Sequence, residues 1–220
     1  IRKGQLTRLV IYSGGGDIAI EGEGDTFDGV RLEDTAVSGN GGNMSIDGTG
    51  GAYGVYVSYY GGLQSGGGDI IVHGEGGTAA GTFLTGGIDS AGGDIDVYGY
   101  STAAEGLVLY SGYIDGVSSA GGDIRLEGHG ATAGALLYGS GSGANSIDSA
   151  GGPITIIGTA SATDAVGVLL SNLAVVGGIG DVFIDGMSPA GIGIQFENGA
   201  SVSTTTGAIG LYGTGADFGL

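Results

Sequence analysis

Acidic residues recur at two fixed positions along this chain, and carboxylates held in register could bind a cation or share acid and base roles. The first position directly follows a glycine pair, and its residues are Asp17, Asn43, Asp69, Asp94, Asp123, Pro153, Asp181 and Ala208. Carboxylates stacked about 5 Å apart repel, so each must receive either a turn N–H group or a cation. Because Asn, Pro and Ala also occupy this position, we interpret it as a turn with Asx-type hydrogen bonds.

The segments GGGD at 14–17 and 66–69 resemble the calcium-binding nonapeptide of repeat proteins. In that motif the Asp comes two residues after the third glycine, and the motif repeats about every nine residues. Here the Asp follows the glycines directly, and the spacing is 25 to 30 residues. We therefore expect no cofactor, with calcium as the alternative.

The second acidic position is written IDS or IDG in three of its copies, and its residues are Gln64, Asp89, Asp115 and Asp148. Polygalacturonase-like hydrolases place a general acid and base in this way on a β-helix face. Such sites also need basic groups to hold an acidic sugar, and the middle of the chain offers only Arg125, His73 and His129. We expect no catalytic residue, and Asp89, Asp115 and Asp148 are alternative metal ligands.

Tyrosine is the main aromatic residue, with 11 copies and no Trp. The tyrosines in the middle of the chain are Tyr53, Tyr56, Tyr59, Tyr60, Tyr98, Tyr100, Tyr110 and Tyr113. A tyrosine surface can stack on sugar rings or contact another protein. Aromatic residues are also ordinary on exposed strand faces.

The elements that position these residues belong to a repeat, S-x-G-G-D-I-x-h-x-G, in which h is apolar. Its eight copies end at Gly22, Gly48, Gly74, Gly99, Gly128, Gly158, Gly186 and Gly213. Apolar residues alternate within each copy, which predicts a strand with one buried face. The glycine that ends the copy predicts a corner without room for a Cβ.

A second signature, Gly-h-x-h, follows each copy and predicts a second strand. Its copies begin at Gly29, Gly54, Gly81, Gly106, Gly134, Gly167 and Gly191, with a truncated one at Gly219. A third, weaker apolar element is centred on Val37, Leu63, Ile88, Ile114, Ile147, Val175 and Val202. One coil alone cannot offset the entropy of ordering its chain, so the coils must stack.

This pattern predicts an all-β fold, a parallel β-helix with about eight coils of 25–30 residues and three short strands per coil. Stacked at the usual strand spacing, eight coils would be about 40 Å long. We expect one β-helix repeat domain over residues 1–220. It starts without Met and stops mid-repeat, so we expect a fragment or subunit of a longer shaft or fibre.

The x residue of Gly-h-x-h should point outward. In order along the chain it is Arg31, Tyr56, Phe83, Val108, Leu136, Leu169 and Gly193. Exposed apolar columns usually mark an interface. We therefore predict that Tyr56, Phe83, Val108, Leu136 and Leu169 form a binding surface, covered either by the loops at 110–118 and 138–148 or by another chain.

Composition narrows the function further. The net charge is −18 with only 5 Lys and Arg, so the basic surface that nucleic acid or anionic lipid requires is missing. No apolar segment is long enough for membrane insertion. Cys is absent, so there is no disulfide framework.

The two glycine-punctuated signatures resemble the β-helical shafts of filamentous-haemagglutinin-like and autotransporter-like bacterial surface proteins, over essentially all 220 residues. The resemblance implies a right-handed, three-faced helix that is extracellular or on the bacterial cell surface. It carries over no catalytic or binding residue.

We therefore expect a structural or adhesive shaft without catalysis. A self-assembling extracellular fibre subunit and a polysaccharide-degrading β-helix enzyme are the alternatives. The expected partners are the protein itself or the rest of a longer chain, by end-to-end or lateral contact, and carbohydrate or a host or cell surface.

Overall fold

The computed structural model describes residues 9–58, 62–111, 116–140 and 145–216. These residues form a β-solenoid of about seven turns with three strands per coil. Every strand pairs in parallel with the equivalent strand of the neighbouring coils, for example Val97 with Val72 and Leu126. The predicted all-β fold is confirmed, and the described residues contain no helix.

The solenoid has three lateral sheets, which we call A, B and C. Sheet A contains β1 (Leu9–Tyr12), β4 (Thr35–Ser38), β7 (Gly62–Gln64), β10 (Ile88–Asp89), β13 (Val117–Ser118), β16 (Ser146–Asp148), β19 (Ala174–Val176) and β22 (Ser201–Ser203). Sheet B contains β2 (Ile18–Gly24), β5 (Met44–Gly50), β8 (Ile70–Gly76), β11 (Ile95–Ser101), β14 (Ile124–Gly130), β17 (Ile154–Ala160), β20 (Val182–Ser188) and β23 (Ile209–Gly215). Sheet C contains β3 (Val30–Glu33), β6 (Val55–Ser58), β9 (Thr82–Leu84), β12 (Glu105–Ser111), β15 (Ala133–Gly139), β18 (Val166–Ser171) and β21 (Ile192–Glu197).

The predicted alternation of buried and exposed residues is confirmed in the inner coils. In β11, Ile95 and Val97 are buried within the coil, and Asp96 and Tyr98 face outward. The other sheets complete the interior with residues such as Leu107. The core is therefore one apolar column that runs along the solenoid axis.

Two columns of glycine hold the backbones of sheets B and C in contact. A methyl group placed on Gly99 would lie 2.1 Å from the carbonyl oxygen of Gly106, which no side chain can occupy. The same conflict occurs in seven successive coils, at 2.0 to 2.3 Å. The predicted lack of space for a Cβ is confirmed. Gly99 is nevertheless the fifth residue of the seven-residue strand β11, so the predicted corner at this glycine is wrong.

The glycines of sheet C repeat this contact one coil further along. A methyl group on Gly106 would lie 2.2 Å from the backbone nitrogen of His129, in the strand of the following coil. Gly81 relates in the same way to Tyr100. The two glycine columns therefore interlock along the axis.

The last copy of Gly-h-x-h begins at Gly193 and not at Gly191. Val168 pairs with Ile194 and Leu169 pairs with Gln195, and the carbonyl of Gly193 faces Gly186. The segment contains two glycines that fit the signature, Gly191 and Gly193, and the prediction chose the first. Contact with the facing glycine selects the second.

The third strand of the fourth coil is centred on Val117, and the prediction of Ile114 is wrong. Val117 pairs with Ile88 on one side and with Ile147 on the other. Ile114 lies outside the described residues. The turn that follows explains why Val117 is the centre. Ser119–Gly122 repeats the turn of the other coils, and in those coils the buried apolar residue lies two residues before the serine.

We expect Gly99→Ala to lower the free energy of unfolding by about 3 kcal/mol, because the new methyl group overlaps a backbone that cannot move alone. Chemical denaturation would measure this. Gly14→Ala is the matched control, since nothing lies within 4 Å of its added methyl group. Equal stability of the two variants would contradict the proposed contact between sheets.

Candidate binding surfaces

The first acidic column is an intercoil ladder of hydrogen bonds. A side-chain oxygen of five column residues accepts the backbone N–H of the column residue in the next coil, at 2.7 to 3.0 Å. The acceptor–donor pairs are Asp17–Asn43, Asn43–Asp69, Asp69–Asp94, Asp94–Asp123 and Asp181–Ala208. The predicted structural use of an N–H group is confirmed. The donor lies in the neighbouring coil, however, so the prediction of a local Asx turn is wrong here.

Pro153 interrupts this ladder. Proline has no N–H group to donate to Asp123 and no side-chain oxygen to accept from Asp181. The backbone continues across the interruption, because Ile124 donates to the carbonyl of Pro153 at 2.9 Å and Ile154 donates to that of Asp181 at 2.8 Å. The side-chain ladder is thus split into two parts while the sheet is not.

The second acidic column does contain Asx turns. Asp89 accepts the N–H of Ala91 at 2.9 Å, and Asp148 accepts that of Ala150 at 2.8 Å. Both alanines have a positive φ, 55° and 54°, and the Asx bond helps to hold this uncommon conformation. These two carboxylates therefore stabilise turns.

Asp115 lies outside the described residues, and its predicted place in this column is wrong. Ser118 pairs with Asp89 and with Asp148 and so occupies that place. The two remaining aspartates are two strands apart, about 10 Å at the usual spacing. Within the described ranges, no three His, Cys, Asp or Glu side chains come together where they could hold a metal ion.

A buried hydroxyl column runs beside these turns. Its members are Ser65, Ser90, Ser119 and Ser149. Each hydroxyl is directed at the carbonyl oxygen three residues later, as Ser90 at Gly93 at 2.5 Å. The serine of the repeat therefore closes the turn, a role that the sequence analysis missed.

The predicted binding surface is one lateral column on the outer face of sheet C, which we call the lateral ridge. Its residues are Arg31, Tyr56, Phe83, Val108, Leu136, Leu169 and Gln195, each paired with the next. Gln195 replaces the predicted Gly193. Val108 and Leu169 are only 8% exposed, so the accessible part of the ridge is chiefly Tyr56, Phe83 and Leu136.

Aromatic rings stack at one end of the lateral ridge. The rings of Tyr56 and Phe83 lie 5.3 Å apart and nearly parallel, at 6°. Tyr53 packs against both rings, at 5.1 and 5.6 Å. The Arg31 guanidinium lies 4.2 Å from the centre of the Tyr56 ring and contacts Asp28 at 2.7 Å. The Asp28 hydrogen bond raises the pKa of Arg31, and burial raises that of Tyr53.

The outer face of sheet B carries a cluster of imidazole and phenol rings that the sequence analysis missed. Tyr98 lies between His73, at 4.9 Å, and His129, at 5.7 Å. The two histidines occupy different repeat positions, since His73 pairs with Tyr98 and His129 pairs with Tyr100. Two outward residues on adjacent strands are still neighbours when their positions differ by two residues. This spacing could have predicted the cluster from the sequence.

Carboxylates surround these rings and hold them in place. Glu127 accepts from Arg125 through one oxygen and contacts Nε2 of His129 through the other at 2.6 Å. Arg125 also reaches Asp96 at 3.5 Å, and His73 reaches Asp47 at 3.3 Å. The basic groups of this face are therefore paired with acidic ones.

Of the tyrosines singled out in the sequence, Tyr59, Tyr60 and Tyr113 lie outside the described residues.

Comparison of the chain with protein-family models, with curated proteins and with solved structures found no match. The part of the chain that the structure describes has no helix able to span a membrane.

We expect Pro153→Asn to raise the free energy of unfolding by about 1 kcal/mol. Asparagine at this site restores both missing hydrogen bonds, as Asn43 does in its coil, and this gain exceeds the lost rigidity of proline. Denaturation midpoints would measure the change. Pro153→Ala is the control, since alanine restores only the N–H donor, and it should be less stable than Pro153→Asn. The reverse order would contradict the ladder.

Burial, and then Glu127, Glu75 and Tyr100, raise the pKa of Tyr98 above its ordinary value of 10.0. The folded protein thus keeps this proton while the unfolded chain loses it, so the stability that this group contributes is complete below pH 10 and is lost as the pH rises through the folded-state pKa. We expect Tyr98→Phe to lose less stability than the wild type between about pH 9 and pH 11. Equal pH slopes in thermal melts would refute this.

Proposed function

We propose that this chain is part of a secreted or cell-surface β-helical shaft with a structural or adhesive role and without catalysis. The observation that carries the proposal is the aspartate ladder. Its polar side chains bind the next coil, and the serine column beside it closes turns. Carboxylates and hydroxyls that make these hydrogen bonds stabilise the stack of coils as a stiff rod, and they are not available as catalytic groups.

The adhesive part of the proposal is assigned to the lateral ridge. Tyr56 and Phe83 present stacked, partly exposed rings, and Leu136 continues the apolar column two coils further on. Partly exposed aromatic residues bury much area at little entropic cost when a partner binds. The partner is a cell surface, a carbohydrate or a neighbouring copy of the chain. The shaft needs no cofactor, and its charge of −18 disfavours nucleic acid.

A self-assembling fibre subunit is the second candidate, and the exposed interior residues of the first and last described strands suit it as well as they suit a longer shaft. Leu9 in β1 and Ile209 in β23 belong to the interior faces of their strands, because they pair with the buried Thr35 and Val182. Both are widely exposed, at 60% and 46%. A further coil stacked at either end would cover such residues.

Light scattering over a wide concentration range separates the two candidates. A shaft segment stays monomeric, and a fibre subunit grows in mass as its concentration rises. We expect Ile209→Glu to abolish any end-to-end growth, because a charge would then be buried between coils. Phe27→Glu is the matched control, since Phe27 is 80% exposed outside the strands. Growth that survives Ile209→Glu would exclude end-to-end stacking through β23.

The enzymatic alternative is tested by a carbohydrate-release assay. Glycosidases need two carboxyl groups that are free to transfer protons. Asp89 and Asp148 each accept a turn N–H, so we expect no release of reducing ends from polygalacturonate. Release that disappears in Asp89→Asn or Asp148→Asn would overturn the proposed lack of catalysis.

A further inference from the structure

The outer face of sheet B contains a groove whose lining differs from the rest of the acidic surface. It has a volume of about 320 Å³ and is lined by Tyr100, Thr102, His129, Thr159 and Ser161, among others. Tyr100, His129 and Thr159 pair on three successive strands and point outward in one row. We call this feature the Tyr100 groove. It is open to solvent, so it suits part of a chain-like ligand better than an enclosed small molecule.

The lining groups match the surface of a sugar. Tyr100 is 41% exposed, and its ring offers an apolar face with a polar edge. Thr102, Thr159 and Ser161 contribute hydroxyl groups, each of which can both donate and accept a hydrogen bond. Sugar rings present the same combination of apolar C–H faces and hydroxyl groups. No Lys or Arg lines the groove, so it does not favour an anionic ligand.

The basic and imidazole side chains beside the groove already have acidic partners. Three of the four basic or imidazole side chains among the described residues lie on this face, namely His73, Arg125 and His129. They contact Asp47, Asp96 and Glu127. A basic peptide would have to displace these contacts, whereas an uncharged ligand leaves them intact.

The groove is also organised before binding. His129 is fixed by its 2.6 Å contact with Glu127 and by the ring of Tyr98. When Nε2 donates its proton to Glu127, Nδ1 of the neutral ring keeps a lone pair that can accept from a sugar hydroxyl. A side chain that is already fixed loses little entropy when a ligand binds.

We infer that the Tyr100 groove binds a neutral oligosaccharide, with Tyr100 against a sugar ring and with His129, Thr159 and the neighbouring hydroxyls on its polar edge. The inference rests on the adhesive role proposed above and adds to it a second surface and a class of ligand.

Isothermal titration calorimetry tests this with cellohexaose, mannohexaose and N-acetylchitohexaose as neutral probes, and with polygalacturonate and polylysine as charged ones. We expect at least one neutral probe to bind and the charged ones not to. Tyr100→Ala should weaken that binding roughly tenfold or more. Tyr110→Ala is the matched control, because Tyr110 is equally exposed, at 40%, but lies on sheet C.

Three results would overturn the inference: no binding of any neutral probe, equal losses in the two variants, or binding of polylysine alone. Thermal melting and light scattering of the same samples keep the two proposals apart. A stable rod that binds no neutral probe refutes the groove and leaves the shaft. An unstable or compact particle refutes the shaft, whatever it binds.

Discussion

The whole solenoid depends on the backbone contact between sheets B and C. Gly99 and Gly106 meet where the coil has no room for a side chain, and Gly106 in turn meets the strand of the next coil at His129. This contact sets how far the two sheets can separate and therefore how wide the apolar interior is. It also fixes each coil relative to the next. In these two columns glycine is thus a packing requirement.

The same contact positions the surfaces on which the function is proposed. The backbones of Tyr100, His129 and Thr159 lie directly against Gly81, Gly106 and Gly134. Their side chains therefore project from the most closely packed part of the coil, which explains how outward residues form regular rows. On sheet C the stacked rings of Tyr56 and Phe83 follow from the same exact register, since adjacent strands place equivalent residues side by side.

The sequence was sufficient to predict the coil but not the partners of its polar groups. Alternation and glycine spacing predicted the strands. They failed where two candidates competed, as with Gly191 and Gly193 or with Ile114 and Val117, and they placed a corner at Gly99, which lies inside its strand. The aspartates were predicted to have a structural role, yet the donor to Asp69 comes from Asp94, 25 residues away, and no local pattern indicates it. The cluster around Tyr98 was missed because His73 and His129 differ in repeat position, and only strand pairing brings them together.

The proline in the aspartate ladder has a mechanical consequence. A tension applied along the axis passes through every interface between coils in turn, and each hydrogen bond that crosses an interface carries part of it. The two interfaces on either side of Pro153 lack the side-chain bond that the ladder provides between Asp17 and Asp123. A filament under tension therefore carries no load through side-chain ladder bonds at these two interfaces, while five coils on one side stay cross-linked by them.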